Sequence, residues 1–190
     1  MACASCARRK RKGGYTNPEM MDQPPMGATD IMVLDNGNVR KINSKDWPED
    51  RHKLILFFPE TFTPVCTTEM GAINDWIEKF NELGVDVYGA TADPIHAVKD
   101  WYEEEEALAN PKYKVLSSYI LPTRLNIMNN GRAKRASVFV TTEGEVVVQE
   151  HFMKVGRSLK ELHRTFYGYT TDSYCAEGWE DPSDGFLSNN

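Results

Sequence analysis

The sequence has no unbroken apolar run of about 18 residues, the length a bilayer-spanning helix needs, so no membrane span is expected. Cysteine is scarce. Four in 190 residues are too few for a disulfide scaffold, and their places, two near the start, one in a central turn and one near the end, suit reactive roles. A reducing cytoplasm is the expected location. Cys3-Ala-Ser-Cys6 is followed by neither a second cysteine pair nor a histidine pair at ligand spacing, which argues against a four-ligand zinc site. Behind the N-terminal charges there is no apolar segment of the secretory kind. Positive charge is also short. The formal net charge is -6, and the five Lys/Arg of the first 26 residues leave about -9 to the rest. Such an acidic body does not suit nucleic acid, except through the basic run Arg8-Arg9-Lys10-Arg11-Lys12. No internal repeat is present.

What is there is enough apolar sequence for one substantial core, at 41% hydrophobic. Residues 1–26, rich in Gly, Pro, Met and charge, cannot bury enough surface to offset ordering entropy and read as a flexible basic extension. Ile31–Leu34 and Val39–Ile42 around Asp35-Asn36-Gly37-Asn38 read as a hairpin. Leu54-Ile55-Leu56-Phe57-Phe58 is the apolar run of a strand buried on both faces. Met70, Ile73, Trp76, Ile77, Phe80 and Leu83 then recur at helical spacing as far as Gly84, with Thr67 or Thr68 as the N-cap. A second strand over Val85–Thr91 and a helix from Pro94 to about Glu106 follow, the acidic run Glu103–Glu106 facing water. Further strands are expected over Lys114–Ser118, Ser137–Thr141 and Glu145–His151, with a last helix over Ser158–Phe166. This order matches an α/β layer fold of the thioredoxin type: a central mixed β-sheet flanked by helices, with an N-terminal hairpin and a C-terminal tail. The boundaries are 27–168 for the domain and 169–190 for a C-terminal arm.

Cys66 falls where the central strand turns into a helix. Unpaired amides and the positive helix end there favour a thiolate, the form that acts as a nucleophile. Pro59-x-x-x-Thr63-x-x-Cys66 places a hydroxyl three residues ahead of the sulfur and a proline that shields the pocket. The stretch FFPETFTPVCTTEM resembles the active-site signature of the peroxiredoxins. RASVFV (Arg135–Val140), VGRSLKEL (Val155–Leu162) and Tyr174-Cys175-Ala176-Glu177-Gly178-Trp179 are similar to later landmarks of the typical two-cysteine branch, which includes the alkyl hydroperoxide reductase and thiol-specific antioxidant proteins. The likeness is collinear over roughly residues 27–185.

That resemblance implies a thiol-dependent peroxidase. Cys66 would attack a hydroperoxide to give a sulfenic acid. Arg135 would hold the thiolate and the peroxide oxygens, Thr63 would donate to the peroxide, and Pro59 would shape the pocket. Glu69 would orient an arginine, with Arg157 as second partner. Cys175 would resolve the sulfenic acid as an inter-subunit disulfide, making a homodimer the expected unit and a decamer its larger assembly. No cofactor is implied, only an external dithiol donor such as thioredoxin. His96 and Trp101 lie where a helix frames the site; His96 itself reads as structural or surface, and Trp179 as packing for the tail. The sequence departs from the family pattern at Thr67, where a proline is usual, a change expected to loosen the first helical turn. It also lacks a Gly-Gly-Leu-Gly loop and a Tyr-Phe motif, from which resistance to overoxidation is expected. Two other readings stay open: a disulfide oxidoreductase using Cys3 and Cys6, and an oligomeric holdase whose basic arm binds an anionic partner.

Overall fold

The run Leu54–Phe58 alternates between two apolar clusters, which places its strand at the centre of the sheet. Leu54, Leu56 and Phe58 join one cluster, while Ile55 and Phe57 join the other. A computed structural model of the chain describes residues 29–171 and 173–187. The N-terminal extension, with Cys3, Cys6 and the basic run, lies outside the described residues.

The strands are β1 (Asp30–Asp35), β2 (Asn38–Asn43), β3 (His52–Phe57), β4 (Val85–Thr91), β5 (Lys114–Ser117), β6 (Met128–Asn129), β7 (Arg132–Ala133), β8 (Ala136–Val140) and β9 (Val146–Glu150). Seven of them form a mixed sheet in the order β2-β1-β5-β4-β3-β8-β9, and β6 and β7 pair separately. β3 runs parallel to β4, and β4 to β5; β1 and β8 are antiparallel to their inner neighbours. The hairpin turn uses Asn36 and Gly37 at φ 48° and 75°, the left-handed pair that a two-residue hairpin loop requires.

The helices are α1 (Pro64–Ala72), α2 (Ile77–Glu82), α3 (Ile95–Glu104), α4 (Ile120–Arg124) and α5 (Leu159–Thr170). On one face Met70, Phe80, Val98, Trp101, Leu162 and Phe166 cover β3 and its neighbours; on the other, Leu121, Leu125 and Trp47 do so. The fold is thioredoxin-like, as expected. No helix among the described residues is long and apolar enough to cross a membrane.

Three expectations need correction. The helix after Cys66 is not continuous to Leu83, because a 3-10 turn at Ile73–Asp75 separates α1 from α2. There the Asn74 carboxamide oxygen accepts from Lys112 N–H at 2.9 Å, tying the joint to the loop before β5. Secondly, neither Thr67 nor Thr68 is the N-cap. α1 starts at Pro64, at the first helical position that proline favours, with Thr63 extended before it (φ -114°, ψ 140°). Thirdly, Thr67 does not loosen the first turn. Its N–H and its hydroxyl both donate to the Thr63 carbonyl, at 2.9 and 3.0 Å, and the first of these bonds is one a proline could not make.

Candidate active site

Because α1 begins at Pro64, Cys66 is its third residue, inside the first turn. The first amide paired within the helix is that of Thr67, so the amides of Val65 and Cys66 precede the ladder. The sulfur is enclosed, with Cys66 only 1% exposed. Before it runs a tight loop from the end of β3. Pro59 is buried, and Thr61 N–H donates to Asp93 Oδ2 at 2.7 Å, tying the loop to the turn after β4. Thr63, half-buried, donates its hydroxyl to the Glu60 carbonyl at 3.1 Å. Phe62 adopts φ 55° and stays 47% exposed beside the Trp101 ring.

The β3–β8 register sets the other wall. Phe57 faces Ala136, so Arg135, one residue before β8, lies beside the end of β3 from which α1 departs. Its Nη2 donates to Cys66 Sγ at 3.5 Å and to the Met153 carbonyl at 3.0 Å. Its Nη1 donates to Glu69 Oε2. Glu69, one turn beyond Cys66 on α1, also accepts from Arg157: from the backbone N–H at 2.6 Å, from Nε at 3.0 Å and from Nη2 at 3.3 Å. The remaining guanidinium hydrogens of Arg157 go to the carbonyls of Ala136 (2.9 Å) and Phe57 (2.6 Å), stitching the ends of β8 and β3.

All three charged residues are buried. Burial pushes Arg157 below the usual arginine value, against the raising pull of Glu69. Two guanidinium cations share one carboxylate, so the cluster carries one uncompensated positive charge, and it faces the sulfur. An anionic sulfur would balance it. The arrangement can therefore hold a thiolate, and the Nη2 donor that meets the sulfur is placed to meet an oxygen bound beside it as well.

The other residues singled out in the sequence are dispersed. His96 is exposed on α3, and Trp101 is buried core. Trp179 is buried where residues 173–187 fold back on α5, with Tyr167 and Phe186 against its ring and Arg164 Nη1 donating to its carbonyl at 3.0 Å. Cys175 is not beside Cys66. It borders a cleft of about 660 Å³ with His52, Arg164 and Tyr169, its sulfur against Gly168 of α5. That cleft lies at the His52 end of β3, opposite the end that carries Cys66. The sequence reading missed Met153 and His151, which flank Arg135. The hairpin register could have found the latter, since Ala136 pairs with Glu150 and the next cross-strand neighbours are Arg135 and His151.

The model of the AhpC/TSA family matches residues 27–149. Alkyl hydroperoxide reductase C of Escherichia coli K12 is 33% identical over 134 residues, which is 68% of this chain and 71% of that protein. The protein of that name from Mycolicibacterium smegmatis is 30% identical over 144 residues, covering 74% of this chain and 73% of its own. Among solved structures, the reduced 2-Cys peroxiredoxin of Plasmodium vivax superposes with a TM-score of 0.74 at 20% identity, over 86% of this chain and 91% of that one. AhpC of Mycobacterium bovis gives 0.73 at 24% identity, over 83% and 96%. These two likenesses bear on the fold. From the family match and the sequence relatives, the chain belongs to the AhpC/TSA family and is a peroxiredoxin, a thiol-dependent peroxidase.

Proposed function

We propose that this peroxidase reduces hydrogen peroxide and organic hydroperoxides at Cys66 and regenerates through an inter-subunit disulfide with Cys175. The observation that carries the reading is the Arg135 guanidinium 3.5 Å from the Cys66 sulfur, braced by Glu69 in a site closed to bulk water. The thiolate attacks one peroxide oxygen, the O–O bond breaks, and the leaving oxygen takes a proton to depart as water or an alcohol. Cys66 is left as a sulfenic acid. Arg135 stabilises the sulfur before the step and the charge on the leaving oxygen during it, Thr63 donates to the bound peroxide, and Pro59 closes the pocket over it. Glu69 and Arg157 keep the guanidinium aimed.

The Cys175 thiol then displaces hydroxide from the sulfenic sulfur, giving a disulfide and water, and an external dithiol such as thioredoxin restores both thiols by exchange. A bond within one chain is disfavoured by the fold. The six residues of β3 alone separate the two ends by roughly 17–20 Å, whereas bridged cysteines need Cα atoms within about 7 Å. A second copy is also suited to β9, an open sheet edge whose Val147 and Val148 are 45% and 36% exposed. A homodimer is the proposed unit and a decamer its larger form, with residues 27–168 as the domain and 169–190 as the arm. A cytoplasmic location is proposed with it.

Non-reducing electrophoresis after stoichiometric hydrogen peroxide tests the scheme. A dimer-sized band that disappears in Cys66→Ser and in Cys175→Ser is the expected result; a band that persists in both redirects the reading to Cys3 and Cys6. A chain starting at Gly27 should keep its activity, against the disulfide-oxidoreductase reading. Loss of peroxide turnover in Cys66→Ser separates the enzyme from a holdase.

A further inference from the structure

The mechanism above leaves one ionisable group beside the buried charge cluster without a role. His151 follows β9 and lies across the hairpin from Arg135, its backbone N–H donating to the Arg135 carbonyl at 2.8 Å. Residues opposite one another in an antiparallel pair project to the same face. On that face the imidazole Nε2 is 2.9 Å from the hydroxyl of Ser137, itself fully buried on β8. The ring is thus fastened by its main chain to Arg135 and by its side chain to the next same-face residue of β8. The charged groups that face it are Arg157 from the segment before α5, Arg135 from the start of β8 and Glu69 from α1.

We infer that His151 is a positioning residue for Arg135, whose neutral imidazole leaves the guanidinium on the Cys66 sulfur and whose protonation withdraws it. The cluster holds two cations against one carboxylate, so an imidazolium would be a third cation drawing on Glu69. Of the two guanidinium cations, Arg135 has the fewer carbonyls to anchor it. Arg157 is anchored by two carbonyls as well as Glu69, whereas Arg135 has Glu69, the sulfur itself and the single carbonyl of Met153, which takes both its Nε and its Nη2 hydrogens. Repulsion is therefore relieved by moving Arg135 off the sulfur. Burial holds His151 below the usual histidine value, the Arg157 guanidinium adds to the effect, Glu69 opposes it and Arg135 reinforces it, so the ring is neutral at neutral pH.

The inference rests on Arg135 acting on the peroxide, and the experiment separates the two. Stopped-flow rates of Cys66 with hydrogen peroxide and with iodoacetamide are measured on the full reduced chain from about pH 7.5 to 5. Both reagents need the thiolate, so the ratio of the two rates cancels its ionisation and reports the contribution of the aimed guanidinium. In the wild type the ratio should fall about threefold or more on acidification, at the midpoint where the His151 ring titrates by NMR. In His151→Gln, which keeps a partner for Ser137 and cannot gain the charge, it should stay flat. Equal curvature in both proteins, or a wild-type midpoint that does not coincide with the ring titration, overturns the inference; the second comparison needs no variant. Arg135→Lys tests the underlying reading separately: an unchanged ratio at pH 7.5 would remove the role of Arg135 itself.

Discussion

Glu69→Gln removes one charge and one acceptor from the most heavily bonded group in the site. The Glu69 carboxylate accepts from Arg135 Nη1 and three times from Arg157, and it is buried with both. In the variant two guanidinium cations remain out of water with no counter-ion, and the new amide turns hydrogens toward donors. Breaking a buried ion pair by removing one partner costs about 3–5 kcal/mol, a fifth or more of the ~5–15 kcal/mol that holds a domain folded. For a chain of this size about 4 kcal/mol corresponds to a fall in Tm of roughly 8–16 °C. Urea unfolding of the reduced protein at neutral pH measures the loss directly through the midpoint at constant slope. The peroxide rate should drop by about tenfold or more, since Arg135 loses its brace. A stability loss under about 1 kcal/mol with the variant folded would refute the reasoning, because it would mean the cations relax to water and the cluster is not a closed unit.

Two glycines make opposite predictions. Gly71→Ala should destabilise by about 1–2 kcal/mol in urea despite alanine's better helix propensity, because the new Cβ would meet the Ala107 carbonyl oxygen at 2.8 Å, and backbone cannot give way cheaply. Gly168→Ala should leave stability unchanged or raise it by up to about 1 kcal/mol, because the obstacle is the movable Cys175 sulfur at 2.9 Å. Displacing that sulfur should speed Cys175 labelling by a thiol reagent in a Cys66→Ser background. Tyr113→Phe should cost about 1–3 kcal/mol in the same unfolding assay, since the Tyr113 hydroxyl bridges the Tyr102 hydroxyl (2.8 Å) and the Met70 carbonyl (2.7 Å) in the core. Burial raises Tyr88 to about 12 and pushes Tyr102 well above its usual value, so the folded protein keeps protons that the unfolded chain releases near pH 10. Stability is then full below about pH 10 and falls as pH rises toward about 12, which chemical unfolding across that range measures.

Much of the fold is legible because short-range physics sets it. Asn36-Gly37 can only be a tight turn of left-handed residues, and the hairpin follows. The apolar run ending at Phe58 is of the kind a strand covered on both faces requires. Ser158 reads as the start of α5, where its hydroxyl accepts from Glu161 N–H at 3.2 Å. By the same logic Asn130-Gly131 marks the small β6–β7 hairpin. The break between α1 and α2 was not legible, because the apolar spacing runs through it and its cause, Asn74 bonded to the loop at Lys112, is a contact across 38 positions.

In the candidate site, the sequence by itself determined which groups are present and which stand near one another along the chain: Cys66 after its strand, Thr63 three residues before it and Glu69 one turn after it. It could not say whether Arg135 and Arg157 reach the same carboxylate, that His151 stands beside them, or that Cys175 lies at the far end of β3. Those positions depend on strand register and on which sheet ends meet, and register is chosen by the burial of whole faces and not by any residue's own preference. Local propensity acts over a few residues, whereas the charge cluster joins positions 69, 135 and 157, so only folding decides that two cations and one anion share a site closed to water.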